Sequence, residues 1–119
     1  AQDLKKAREL FQASADKGDL DGKFNLAYFI LKDASSTNRD EDYALSVNLL
    51  REVIFYDPYN ALAFYYLGFV YEHGLGVDKD YRLAIKYYQS AAKLGHAKAW
   101  TKLGNLYNYG LGLEKADKQ

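Results

Sequence analysis

Residues Leu67-Gly68-x-x-Tyr71-x-x-Gly74-Leu75-Gly76 return 36 positions later as Leu103-Gly104-x-x-Tyr107-x-x-Gly110-Leu111-Gly112, with every named residue identical. Self-similarity at a period of about 20 to 50 residues marks units that cannot bury their own apolar faces and must stack on neighbours. The repeat therefore directs the search for function to a surface built by stacked units, away from a single enclosed pocket.

The units are helical. Between Asp80 and Leu94 the residues Leu83, Ala84, Tyr87, Tyr88, Ala91 and Ala92 recur at i, i+3 and i+4, the spacing of an amphipathic helix, here named a B helix. Ala61 to His73 is equally periodic through Phe64, Leu67, Gly68 and Tyr71 and stops at Gly74, where left-handed backbone closes a helix; this is an A helix. Gly68 and Gly104 lie inside their helices, where glycine costs about 1 kcal/mol relative to alanine. The compensation expected is close approach of the paired B helix, small-sided at Ala84, Ala91 and Ala92.

The N-terminal half carries weaker copies. Ala7-x-x-Leu10-Phe11-x-x-Ser14-Ala15-x-x-Gly18 aligns with Ala84-x-x-Tyr87-Tyr88-x-x-Ala91-Ala92-x-x-Gly95, and Leu26-Ala27-x-x-Ile30 with Leu103-Gly104-x-x-Tyr107, both at an offset of 77. The polar stretch Asp33 to Asp40 replaces the glycine loop, Tyr43 to Tyr56 reads as a B helix, and the single proline, Pro58, ends it. The pattern predicts one domain over 1–119 with helices at about 2–17, 21–32, 41–56, 60–73, 80–94 and 97–109, in the order B, A, B, A, B, A. This is an all-α fold, an α-solenoid of about three helix-turn-helix repeats. Gln119 aligns with Leu83 and Ala1 precedes a B helix with no A helix ahead of it, the reading expected for a segment of a longer array.

Leu67-Gly68-x-x-Tyr71-x-x-Gly74-x-Gly76-Val77-x-x-Asp80-x-x-x-Ala84-x-x-Tyr87-Tyr88-x-x-Ala91-Ala92-x-x-Gly95 closely resembles the Sel1-like repeat, a relative of the tetratricopeptide repeat. The match covers about Ala63 to Leu113 and extends weakly to Ala7, while Asp57-Pro58-Tyr59-Asn60-Ala61-Leu62-Ala63 is similar to a tetratricopeptide-repeat junction. The sequence departs from the pattern at Ala27 and in the Asp33 to Asp40 loop, which lacks the Gly-x-Gly pair. The resemblance implies right-handed superhelical stacking with A helices lining a concave face. It also implies an adaptor or scaffold function of the kind served by bacterial envelope and signalling proteins and by the endoplasmic-reticulum adaptor of the ubiquitin-ligase degradation machinery.

The residues argue against other chemistries. Sixteen Lys and Arg balance sixteen Asp and Glu, so no global field draws nucleic acid or acidic lipid. Without cysteine there is no disulfide, thiolate metal site or thiol nucleophile. No apolar run approaches the ~18 residues of a membrane span. His73 and His96 lack a second ligand at zinc spacing; capping and exposure account for both. Gly74-Leu75-Gly76-Val77-Asp78-Lys79-Asp80 follows no strand and lacks Gly-Lys-Ser/Thr, which argues against a nucleotide cradle. Asp33-x-Ser35-x-Thr37 has Asn38 and Ala44 where a calcium loop needs glycine and glutamate. The carboxylates Asp16, Asp19, Asp21, Asp40, Glu41 and Asp42 read as helix-start residues, and no serine sits in a nucleophile elbow. The expectation is a non-enzyme without cofactor or metal.

The A-helix face remains. With Phe64, Leu67, Gly68, Tyr71 and Trp100, Leu103, Gly104, Tyr107 taken as packing, and Tyr87 and Tyr88 as core, the opposite stripe falls on Leu62, Tyr65, Phe69, Glu72 and His73 of the second A helix. In the third A helix it falls on Lys98, Thr101, Asn105, Asn108 and Tyr109, and in the first on Phe24, Tyr28, Leu31 and Lys32. Aromatic anchors beside asparagine amides suit a peptide or partner helix. The alternative for these aromatics is packing between neighbouring A helices. Expected partners are another protein or peptide, with self-association through open repeat ends as a second possibility. The cytoplasm, periplasm and endoplasmic-reticulum lumen all remain compatible, although the chain has no Asn-x-Ser/Thr sequon.

Overall fold

The computed structural model describes residues 3–33 and 39–112. These form six helices: α1 (Leu4–Asp16), α2 (Leu20–Lys32), α3 (Arg39–Tyr56), α4 (Ala61–His73), α5 (Tyr81–Lys93) and α6 (Ala97–Asn108). Three of the starts, those of α1, α4 and α5, are capped by short polar side chains. Asp3, Asn60 and Asp80 accept the backbone N–H of Lys6, Ala63 and Leu83 at 3.0, 3.0 and 3.1 Å, each satisfying a donor the helix itself leaves open. Gly74 closes α4 in left-handed backbone at φ 68°, and the next N–H, of Leu75, donates back to the Val70 carbonyl at 2.9 Å. α3 begins at Arg39, two residues ahead of the expected start, with Asp40, Glu41 and Asp42 in its first turn. Asp16 is the last residue of α1, where Gln12 bonds its carboxylate at 2.9 Å, so its expected place at a helix start is corrected. The calcium-loop positions Ser35, Thr37 and Asn38 lie outside the described residues.

Each helix packs chiefly on its neighbours in the chain, and α4 with α5 is the most extensive pair. That pair shows why a glycine sits in α4. A Cβ at Gly68 would lie 2.7 Å from ring carbons of Tyr88, which is fully buried. Close approach is thus the reason for the glycine, but it is made by an aromatic ring rather than by the small residues Ala84, Ala91 and Ala92. The Tyr88 hydroxyl donates to a Glu72 carboxylate oxygen at 2.6 Å, which gives a buried phenol its partner. Burial first, and the hydrogen bond to Glu72 next, push the Tyr88 hydroxyl far above its ordinary pKa. Tyr87 lies between Phe64 and Tyr71, with ring centroids 6.2 and 5.7 Å away.

At the α2–α3 pair, Ala27 occupies the position of Gly68. The buried Ser46 hydroxyl donates to the Ala27 carbonyl at 2.8 Å, tying the helices without the large ring. Arg8 reaches across from α1 to grip both oxygens of Asp42 at 3.0 Å, a planar fork matched to a carboxylate. One core runs through the stack from Leu26, Ile30, Leu50 and Val53 to Leu67, Val70, Leu103 and Leu106. Among the described residues no helix is long and apolar enough to cross a membrane.

Candidate functional site on the A-helix face

The A helices α2, α4 and α6 present equivalent positions spaced 4, 3 and 4 residues apart. They are Asp21, Asn25, Tyr28 and Lys32 in α2; Leu62, Tyr66, Phe69 and His73 in α4; and Lys98, Lys102, Asn105 and Tyr109 at α6 and its cap. All twelve are exposed or half-buried. This spacing gives one continuous stripe along a helix.

Side chains of adjacent stripes meet. The Tyr28 and Tyr66 rings are edge to face at 5.3 Å, and Phe24 backs both, 6.2 Å from Tyr28 and 6.3 Å from Tyr66. Along α4, Tyr66 approaches Phe69 at 6.4 Å and Phe69 approaches His73 at 4.7 Å. Lysines from both flanking helices lie over these rings: Lys32 Nζ is 5.5 Å from the Tyr28 centroid and 5.8 Å from that of Tyr66, and Lys102 Nζ is 5.9 Å from Phe69. Burial, then the neighbouring tyrosines, raises the Tyr66 hydroxyl to about 12. The phenol therefore stays neutral through any physiological range, an amphipathic edge rather than an acid.

Several expected site residues fall elsewhere. Tyr65 is only 8% exposed, and its ring packs on Tyr88 at 5.5 Å and on His96 at 4.5 Å. It is a spacer between α4, α5 and the start of α6, so its assignment to the binding face is corrected. Glu72 turns toward α5, where it accepts from Tyr88. Leu31 and Phe24 are half-buried against the core. Thr101 and Asn108 occupy the positions of Tyr65 and Glu72 and are exposed because no further helix covers α6 among the described residues. Tyr28, Lys32, Leu62, Phe69, His73, Lys98, Asn105 and Tyr109 lie on the stripe.

The sequence reading does not reach Tyr66, Asp21, Asn25 and Lys102 as stripe residues. Two adjacent tyrosines each fit an apolar position, and only the 4-3-4 spacing from Leu62 to His73 singles out Tyr66.

His96 was assigned to capping and exposure, yet it makes no side-chain cap and its Nε2 is buried without a partner among the described residues. Burial, then nearby Lys98, lowers its pKa below 6.5. Trp100, Gly104 and Tyr107 were assigned to packing. Trp100 is 61% and Tyr107 48% exposed, and a Cβ at Gly104 would meet nothing within 4 Å among the described residues. With Leu103, Gln89 and Lys93 they line a recess of about 480 Å³ at the end of the stack. Their equivalents Phe64, Gly68 and Tyr71 are covered by α5, and no helix in the described residues does the same for α6. A second recess, about 720 Å³, is lined by Asp40, Tyr71 and the Gly74 to Asp80 loop. No group of three or more His, Asp or Glu able to hold a metal occurs among the described residues.

The comparisons agree with this architecture. A crystal structure of a Sel1 repeat protein from Oxalobacter formigenes superposes with a TM-score of 0.71 at 25% identity, over 93% of this chain and 43% of that one. A protective antigen of uropathogenic Escherichia coli strains displaying an SLR fold superposes with a TM-score of 0.59 at 26% identity, over 96% of this chain and 31% of its own. An uncharacterized protein of Neisseria meningitidis serogroup B is 32% identical over 117 residues, 95% of this chain. The chain spans 22% of that relative's length. The Sel1 repeat model matches residues 1–19, 61–96 and 97–119. With most of its length matched by that model, and six helices in paired repeats, the chain belongs to the Sel1 repeat family.

Proposed function

We propose that this chain is a non-catalytic protein-interaction scaffold or adaptor whose A-helix face, concave in an array of this kind, holds a peptide or partner segment and helps assemble a larger complex. The observation that carries this is the exposed apolar stripe of α4 and its neighbour α2. Leu62 is 43% exposed and Tyr28 40%, and they flank Tyr66 and Phe69 on a surface held rigid by ring contacts. Aromatic anchors on preorganised helices lose little entropy when a ligand settles on them. The relatives reported above come from bacteria, which supports a bacterial scaffold over an adaptor of endoplasmic-reticulum degradation.

A second reading, a spacer or self-associating segment, is favoured by one observation: the uncovered recess around Trp100 and Tyr107. The two readings separate in one experiment. Partner capture from extract of the source organism is compared for wild type, Leu62→Ser, Phe69→Ala and Trp100→Ala, with sedimentation equilibrium at several concentrations. Loss of the same captured protein in Leu62→Ser and Phe69→Ala, with Trp100→Ala unaffected, is the expected result. Concentration-dependent mass abolished by Trp100→Ala alone would replace it with the second reading.

A further inference from the structure

The A-helix face is positive although the chain carries no net charge. Its stripes hold Lys32, Lys98 and Lys102 against the single carboxylate of Asp21. Two carboxylates away from the face already hold a cation: Arg8 pairs with Asp42, and Lys23 Nζ lies 2.6 Å from Glu52. The three lysines of the face have no carboxylate partner among the described residues. Lys32 and Lys102 rest instead on aromatic rings, at the distances given above. A ring attracts an ammonium electrostatically but cannot take up its three N–H donors, so each lysine keeps donors for a further acceptor.

We infer that this face takes an extended peptide bearing carboxylates, whose Asp or Glu side chains meet Lys32, Lys98 and Lys102 while an apolar residue lies against Leu62 and Phe69. The inference rests on the interaction reading above and names the chemistry of its partner. A basic peptide is disfavoured twice over. It would have to displace lysines from the rings they already occupy, and it would face three like charges. A nucleic acid needs a track of cations along its phosphates. Asp21 interrupts that track at the α2 end, and no excess of positive charge elsewhere in the chain extends it.

The test uses fluorescein-labelled peptides of about ten residues, which extend to roughly 33 Å. They share a central Phe-Leu pair flanked by glutamate, glutamine or lysine, and binding is read by anisotropy. The glutamate peptide should bind at least about tenfold tighter than the glutamine one, an advantage that shrinks when salt rises from about 50 to about 500 mM. Combining Lys32→Gln, Lys98→Gln and Lys102→Gln should erase the advantage while leaving the thermal transition in place, since none of the three side chains is buried. Equal affinity for glutamate and glutamine, preference for lysine, or equally potent displacement by an oligothymidylate of similar length would each overturn the inference. If all peptides bind alike and Phe69→Ala weakens them all, the interaction face stands and its acid preference falls. If none binds, or none responds to Phe69→Ala, both fall.

Discussion

Gly68 and Tyr71 of the repeated string are core, while their counterparts Gly104 and Tyr107 in the second copy are surface. Around Gly68, the Tyr88 ring fills the space a side chain would need, and Phe64 and Tyr71 enclose Tyr87. A Cβ at Gly104 would meet no neighbouring atom of the described residues within 4 Å, and Trp100 and Tyr107 are exposed. Identical residues acquire opposite energetics because burial in a repeat array belongs to the pair of neighbours, not to the residue. The first copy shows a third solution, in which Ala27 takes the glycine position and its carbonyl is held by the Ser46 hydroxyl.

The sharpest way to break this comparison is to truncate the aromatics. Tyr88→Ala removes a fully buried ring and orphans the Glu72 carboxylate, and should cost about 4 kcal/mol. For a domain of this size that lowers the thermal midpoint by more than about 10 °C. Trp100→Ala, on the uncovered side of α6 beside the second string, should change stability by no more than about 0.5 kcal/mol. A large cost at Trp100 in calorimetry would show that α6 is covered in solution.

The glycines should respond with opposite signs. Gly68→Ala forces a methyl to 2.7 Å from an immobile ring and should destabilise by about 1 to 3 kcal/mol. Gly104→Ala meets open space and should stabilise by about 0.5 to 1 kcal/mol, the helix-propensity gain alone. Denaturant titration of both variants checks the pair. Two changes of the same sign would mean the repeats are not as unlike as their surroundings indicate.

The smallest effect concerns the joint between them. Burial lowers the pKa of His96 below 6.5, so the folded chain binds this proton less readily than the unfolded one. The stabilisation is present in full above pH 6.5 and is lost as pH falls from there through the folded-state value. His96→Gln should therefore flatten the decline in thermal midpoint between pH 7 and 5. An unchanged decline would place the titration elsewhere.

How much of this was legible in the sequence follows from the same contrast. Helix order was readable because its signals are local: the i, i+3, i+4 spacing through Phe64, Leu67 and Tyr71 and through Leu83, Ala84 and Tyr87, Gly74 as a stop, Pro58 after α3. The binding stripe was only partly readable. Tyr65 and Tyr66 are chemically the same, and whether one is a spacer depends on what His96 and Tyr88 do on other helices. Trp100 has the periodicity of core, and periodicity carries no record of whether a neighbour is there. Lys102 was passed over because a lysine reads as solvated until Phe69 is found beneath it.

Contacts between chain neighbours dominate the packing, and this has a kinetic consequence. A stack whose helices depend mainly on the adjacent helix opens piecewise, from weakly covered elements inward. Amide exchange should therefore be slowest in α4 and α5, the most extensive pair, and fastest along the uncovered side of α6. The residues proposed to receive a partner are centred on α4, so the docking surface would be carried by the last element of the chain to open.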